Sequence, residues 1–223
     1  MISTLEFKKS ISKILSENLK QLGFKGSGFN YLMDTDNFVF AIGIQASQFG
    51  AQCCVEFGFQ PKSLVTDGFK LLDYKKLRYY NCEFRTRITP NGQSDYWWKY
   101  SENEYQNIQI ANQITELIIK RALPIVQLLK VNPNHLETIE PKDLDNIYTI
   151  LSDKLLGMNL ATTDIRLAWV FAMSLTKTNL KKSKRFAEYG LSKLTSSDKF
   201  FGRRDFEAIL NDASTTLNQK EVF

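Results

Sequence analysis

Histidine is almost missing from this chain: His135 is the one histidine in 223 residues. A histidine-rich metal centre is therefore excluded by count. A histidine base would have to be His135, in a Pro-Asn-rich connection with no partner advertised beside it. Cysteine is scarce as well. Cys53, Cys54 and Cys82 form an odd set with no Cys-x-x-Cys spacing, which argues against a disulfide framework. Cys53 and Cys54 are neighbours in a segment of strand character, so their side chains point to opposite faces. All three read as small buried hydrophobes rather than as metal or redox groups. Long hydrophobic runs are also lacking. The longest apolar, uncharged run, Leu167 to Thr176, is too short to cross a bilayer. Glu6, Lys8 and Lys9 interrupt the opening residues where a signal peptide needs an apolar core. A cytoplasmic location is the expectation.

Several motifs of catalysis are missing too. Gly23 to Gly28 is glycine-rich but lacks the Gly-Lys-Ser/Thr ending of a phosphate loop, and it precedes a strand pattern rather than a helix. Asp34 and Asp36 lack the further ligands of a calcium loop. No Gly-x-Ser-x-Gly elbow occurs. These absences weigh against an enzyme and against any cofactor.

What is present is a core. Hydrophobic residues make up 43% of the chain and aromatics 13%, with 16 Phe, 9 Tyr and 3 Trp. Large rings bury much apolar area each and can anchor a modest sheet. Leu5, Phe7, Ile11, Ile14, Leu15, Leu19 and Leu22 step by three and four, the period of an amphipathic helix. Ser3 or Thr4 can cap it and Gly23 can end it. The period then changes to two. Phe29–Met33, 38–45 and 53–59 read as strands, with turn chemistry at Asp34–Asn37 and Gln48–Gly50, and Pro61 closing the third. Residues 62–80 fit a loop or a short helix equally well. Cys82 to Ile88 alternate again, Pro90-Asn91-Gly92 is a hairpin signal, and Tyr96 to Tyr100 supply a return strand. About five strands result, antiparallel because most links are too short for crossovers.

A helix follows over Glu104 to Lys130, with a kink or break expected at Pro124. Beyond residue 131 the pattern is helical only: Pro141–Leu156, Thr163–Thr176, Leu180–Leu194 and Arg203–Leu217, packed as a small bundle. The fold class is thus α+β, with an antiparallel sheet flanked by helices over 1–130 and a helical region over 131–223.

One stretch, Leu19-Lys20-Gln21-Leu22-Gly23-Phe24 with Gly28-Phe29-Asn30-Tyr31, is followed by Phe-x-Phe-x-Ile-x-Ile-Gln at 38–45. Arg85-x-Arg87 and Asp95-Tyr96-Trp97-Trp98 come after it. In this order the motifs resemble the bacterial domain-of-unknown-function family DUF4304, over about residues 5–130. The resemblance implies an α+β domain and carries no activity and no catalytic residue.

Two clusters could carry function. If Asn91-Gly92 makes a two-residue turn, Arg87 faces Tyr96, Arg85 faces Trp98 and Glu83 faces Tyr100. Arg85, Arg87, Tyr96, Trp98 and Tyr100 then share one sheet face, suited to an anionic or planar partner. The plainer alternative is that these side chains pack along their own stems. A one-residue shift would send the rings to the other face. The second cluster is basic. Residues 177–204 hold nine basic and two acidic residues, after 131–176 with three basic and six acidic. Lys181, Lys182, Lys184 and Arg185 could contact phosphate. They could equally form a solvated helix face, or pair with the acidic segment. The first expectation is therefore a non-catalytic protein-binding or interaction protein, of which a toxin-neutralising or accessory role is one form. The alternative is nucleic-acid binding through 177–204.

Overall fold

The computed structural model describes residues 3–64, 66–67, 70–71, 73–90 and 95–218. Helix α1 (Thr4–Gln21) starts at Ser3, whose hydroxyl accepts the Glu6 N–H while the Glu6 carboxylate accepts the Ser3 N–H. This reciprocal cap satisfies two otherwise free donors. Phe7, Ile11, Leu15 and Leu19 form its buried stripe. Gly23, at φ +92°, turns the chain out of the helix.

The glycine-rich segment contributes a short edge strand, β1 (Lys25–Ser27), paired with β2 (Asn30–Asp34). β3 (Phe38–Ala46) and β4 (Gln52–Pro61) follow as the period-two pattern predicts. The described residues of 62–80 are neither plain loop nor one helix. They make a small ladder, β5 (Thr66–Asp67) with β6 (Lys70–Leu71), then two 3-10 turns, Tyr74–Lys76 and Tyr79–Asn81. β7 (Phe84–Ile88) and β8 (Trp98–Lys99) complete the main sheet, which is antiparallel throughout in the order β1-β2-β3-β4-β7, with β8 also on β4.

Here the structure corrects the expected hairpin. Both strands pair with β4 instead, β7 opposite Val55 to Phe59 and β8 opposite Gln52 and Cys53. The Arg87–Tyr96, Arg85–Trp98 and Glu83–Tyr100 pairs do not form. β4 is long enough to seat two short strands end to end, so β4 and not the turn sets the register of β8. The Asn91-Gly92 turn itself lies outside the described residues.

The sheet is covered on both sides. Phe40, Ile42, Phe57, Phe59 and Phe84 face the helices α1, α2 (Glu104–Arg121) and α3 (Leu123–Val131) in one large core. Val39 and Ala41, on the other face, lie under Leu77 and Cys82. The helix expected over 104–130 is divided at Ala122, and Pro124 falls in the first turn of α3, where its missing N–H costs nothing.

The predicted helix Pro141–Leu156 is replaced by a 3-10 stretch (Pro141–Asn146), a π turn (Ile147–Leu151) and a single turn, α4 (Ser152–Lys154). The buried Asp143 carboxylate is drawn inward to the Glu140 N–H and the Lys154 ammonium. The altered winding still buries Leu144, Leu151 and Leu155, but it leaves Tyr148 outside. α5 (Asp164–Leu175), α6 (Leu180–Ser192) and α7 (Arg203–Asn218) then pack in succession. The core is continuous from the sheet into these helices. Phe84 meets Phe171 edge-on at 5.7 Å, and Arg166 of α5 grips buried Glu83 with two bonds of 2.6 and 2.7 Å.

Candidate functional site

The site begins with two residues that have no side chain. A Cβ on Gly43 would lie 1.9 Å from the Tyr79 ring, and one on Gly58 would lie 2.7 Å from Cys82 Cβ. Glycine at both positions lets the 79–82 turn lie flat on the sheet. That segment covers the middle of the face and leaves one end uncovered. Gln45, Glu56, Arg85 and Arg87 rise there from β3, β4 and β7, and Tyr79, Tyr80 and Asp95 close the sides. Together they line a polar cavity of about 540 Å³.

Arg87 is held by two carboxylates. Its Nε donates to Glu56 Oε1 at 3.0 Å and its Nη1 to Asp95 Oδ1, while the guanidinium lies over the Trp97 ring at 5.2 Å. Trp97 Nε1 donates to Asp95 Oδ2 at 2.9 Å and holds that carboxylate in place. Burial works against the Arg87 charge, but Asp95 and Glu56 outweigh it and its pKa rises. The Arg87 guanidinium in turn holds the Asp95 carboxyl below the usual carboxylate range. Glu56 is only 6% exposed; a charge so buried requires a partner, and Arg87 is that partner.

Arg85 differs. Its backbone carbonyl accepts the Ala161 N–H at 2.7 Å. Its guanidinium has no hydrogen bond or ion pair among the described residues, and it lines the cavity beside Tyr80, which is 59% exposed. The site therefore holds one satisfied arginine, which shapes it, and one arginine with its donors free.

The five residues read from the sequence as one face are divided between two. Arg85 and Arg87 are on the cavity side. Trp98 is 3% exposed in the helix-side core, Tyr96 packs against it at 4.7 Å, and Tyr100 stacks on Phe7 at 3.9 Å. The ring that meets Arg87 is Trp97, one residue out of phase. Sequence reasoning missed Trp97, Asp95, Glu56 and the two tyrosines of the covering turn. The signal for Trp97 was its alternation with Tyr96 and Trp98, once the turn no longer sets the register.

Cys53 and Cys54 lie where a strand puts them, and Cys82 follows the Tyr79–Asn81 turn. Cys53 is in the helix-side core and Cys54 bonds to Gln45 on the other face. Burial pushes their thiols up to about 12 and about 11, and pushes Cys82 up as well. His135 Nε2 is hydrogen-bonded to the Lys154 carbonyl at 2.7 Å.

The basic cluster on α6 is half consumed. Lys182 is 7% exposed and reaches the Glu137 carbonyl and Glu140 Oε1, the latter at 2.8 Å; Arg185 meets Glu140 Oε2, also at 2.8 Å. The acidic segment 131–176 thus supplies internal partners for the basic one. Lys181 and Lys184 remain on the surface side of the helix without a hydrogen bond or ion pair among the described residues.

Among the described residues no group of histidine, cysteine and acidic side chains is placed to hold a metal ion. No described helix is long and apolar enough to cross a membrane. A family model described as a domain of unknown function (DUF4304) matches residues 15–128, which include Arg85, Arg87 and Trp97. No curated protein and no solved structure matches the chain.

Proposed function

Because the chain belongs to the DUF4304 family, a domain of unknown function, we propose from the site itself that it is a non-catalytic binding protein, taking an anionic side chain of a protein partner on Arg85. The observation that carries this reading is a guanidinium with free donors on the wall of a polar cavity, next to an exposed tyrosine. Arginine binds carboxylates through paired, charge-assisted hydrogen bonds. Arg and Tyr are also the residue types enriched where partner proteins dock. Arg87, Glu56, Asp95 and Trp97 act as the frame that holds the cavity open. Among the described residues that line the cavity, the carboxylates of Glu56 and Asp95 are tied to Arg87, so binding is the simpler use of it. A toxin-neutralising or accessory role in a bacterial cytoplasm fits such a protein. Nucleic-acid binding through 177–204 is the weaker reading, because Lys182 and Arg185 at its centre are already paired with Glu140.

The test compares the wild-type chain with Arg85→Glu as tagged baits in the source cell. A protein recovered by the wild type and lost with the variant, at equal thermal stability of the two baits, is expected. Recovery of the same proteins by both baits, or of none by either, would refute the reading.

A further inference from the structure

β7 ends the sheet, so one of its edges faces away from β4. The register tells which backbone groups lie on that edge. Ser47 N–H donates to Gln52 C=O, and Lys62 N–H donates to Asn37 C=O. The even-numbered residues of β4 therefore bond to β3, and the odd-numbered ones bond on its other side. Opposite Val55, Phe57 and Phe59 stand Ile88, Thr86 and Phe84, whose backbone groups are used there. The N–H and C=O groups of Arg85 and Arg87 point outward. One of these four has a backbone partner among the described residues: Arg85 C=O accepts the Ala161 N–H at 2.7 Å. The Thr86 hydroxyl reaches Arg87 C=O at 3.4 Å. The two outward N–H groups have no acceptor among the described residues.

Two open spaces meet along this edge. The polar cavity that holds Arg85 lies on one face. On the helix side is a groove of about 740 Å³, lined by 86–90 and 156–161. Arg87 and Ala161 line both spaces. Tyr148 and Leu156, 71% and 54% exposed, hold large apolar side chains in water at the groove. An unpaired strand edge is a template for another strand. Recognition by strand addition takes affinity from main-chain hydrogen bonds and specificity from pockets for alternate side chains. Residues directly opposite one another in a strand pair point to the same face. A strand laid on Arg87 therefore puts the residue opposite it on the Arg85 face. The residues before and after it then project over the groove, toward Tyr148 and Leu156.

We infer, on the reading that Arg85 takes an anionic side chain, that the partner binds as an extended segment added to the β7 edge. That segment is acidic at the residue opposite Arg87 and apolar on either side of it. The probe is the peptide acetyl-Ser-Val-Glu-Val-Ser-amide. Its control carries an N-methyl group on the glutamate, which removes the N–H that Arg87 C=O accepts. Amide hydrogen exchange of the full chain is followed by NMR. In the free chain the Arg85 and Arg87 amides exchange faster than those of Thr86 and Ile88, which are paired with β4. The peptide slows the Arg87 amide saturably, by roughly tenfold, the worth of one hydrogen bond. The control does not. Arg85→Glu binds the peptide about tenfold more weakly, and prefers the same peptide with lysine in place of glutamate. An Arg87 amide that is as slow as Thr86 in the free chain, that the peptide does not slow, or that the control slows equally, overturns strand addition. Slowing of Arg87 that is equal in Arg85→Glu upholds strand addition and refutes the role of Arg85. Arg85-dependent binding with the Arg87 amide still exchanging freely does the reverse.

Discussion

At the residue scale, the chemistry of this protein is decided by which charges are satisfied internally. Glu83 is 5% exposed and held by both arms of Arg166. Removing one partner of such a pair leaves a buried charge uncompensated, which costs more than the pair contributes. Arg166→Ala is therefore expected to lose about 3 kcal/mol of stability in urea unfolding. A loss under about 0.5 kcal/mol, typical of a surface change, would mean water already solvates Glu83. The thiols give a second prediction. With Cys53 and Cys54 pushed up to about 12 and about 11 by burial, almost no thiolate exists at neutral pH, and the thiolate is the reactive form. Native protein at pH 8 should leave a thiol reagent such as Ellman's unconsumed over minutes, then titrate three thiols once unfolded in guanidinium. Rapid labelling of the native chain would contradict the buried placement.

Among the elements, the decisive one is the 74–82 segment lying across the sheet. It makes β3 a strand buried on both faces, and its edge defines the cavity at Arg85. It can lie there only because Gly43 and Gly58 have no Cβ. Gly43→Ala should force the Tyr79 ring away, since the added carbon would stand 1.9 Å from it. The expected cost is about 1–3 kcal/mol, as for overpacking elsewhere. Tyr79→Ala in the same chain should recover much of it, a non-additivity that a double-mutant cycle measures. If the two changes simply add, the ring is not the obstacle. The hairpin that did not form belongs to the same scale. A hairpin turn specifies register only when its strands pair with each other, and here each pairs with β4.

Across the whole molecule, the uneven charge along the chain is an internal fit. The acidic segment 131–176 meets the basic segment that follows through Glu140 with Lys182 and Arg185, and through Asp145 with Lys193. Lys182 and Arg185 hold the Glu140 carboxyl down, against burial. Burial pushes Asp143 up, but Lys154 and the Glu140 N–H outweigh it and its pKa falls. Lys193 and Tyr189 lower Asp145. A carboxyl whose folded pKa is depressed adds stability above its unfolded value and loses it as pH falls through the folded one. Stability should hold level above the ordinary Glu and Asp values of 4.5 and 3.8 and decline steadily below them. Melting temperature against pH from 7 to 2.5 checks this. An unchanged melting temperature down to pH 3 would show that these pairs add nothing.

Local periodicity was enough to place α1, β2, β3, β4 and the three long C-terminal helices. Each of those segments carries its apolar residues at one clear spacing, and that spacing alone decides which face is buried. The DUF4304 resemblance was legible for the same reason, in motifs lying close together in the chain. The candidate site was legible only in part. Arg85 and Arg87 were placed on one face by alternation, but Trp97, Asp95 and Glu56 joined them through pairing with β4, which no local pattern encodes. The winding of 141–154 departs from its periodicity too, with the buried Asp143 carboxylate held by the Glu140 N–H and the Lys154 ammonium. Spacing along a chain reports what each segment must bury; which segment lies beside it is settled by packing and charge satisfaction between residues far apart in sequence.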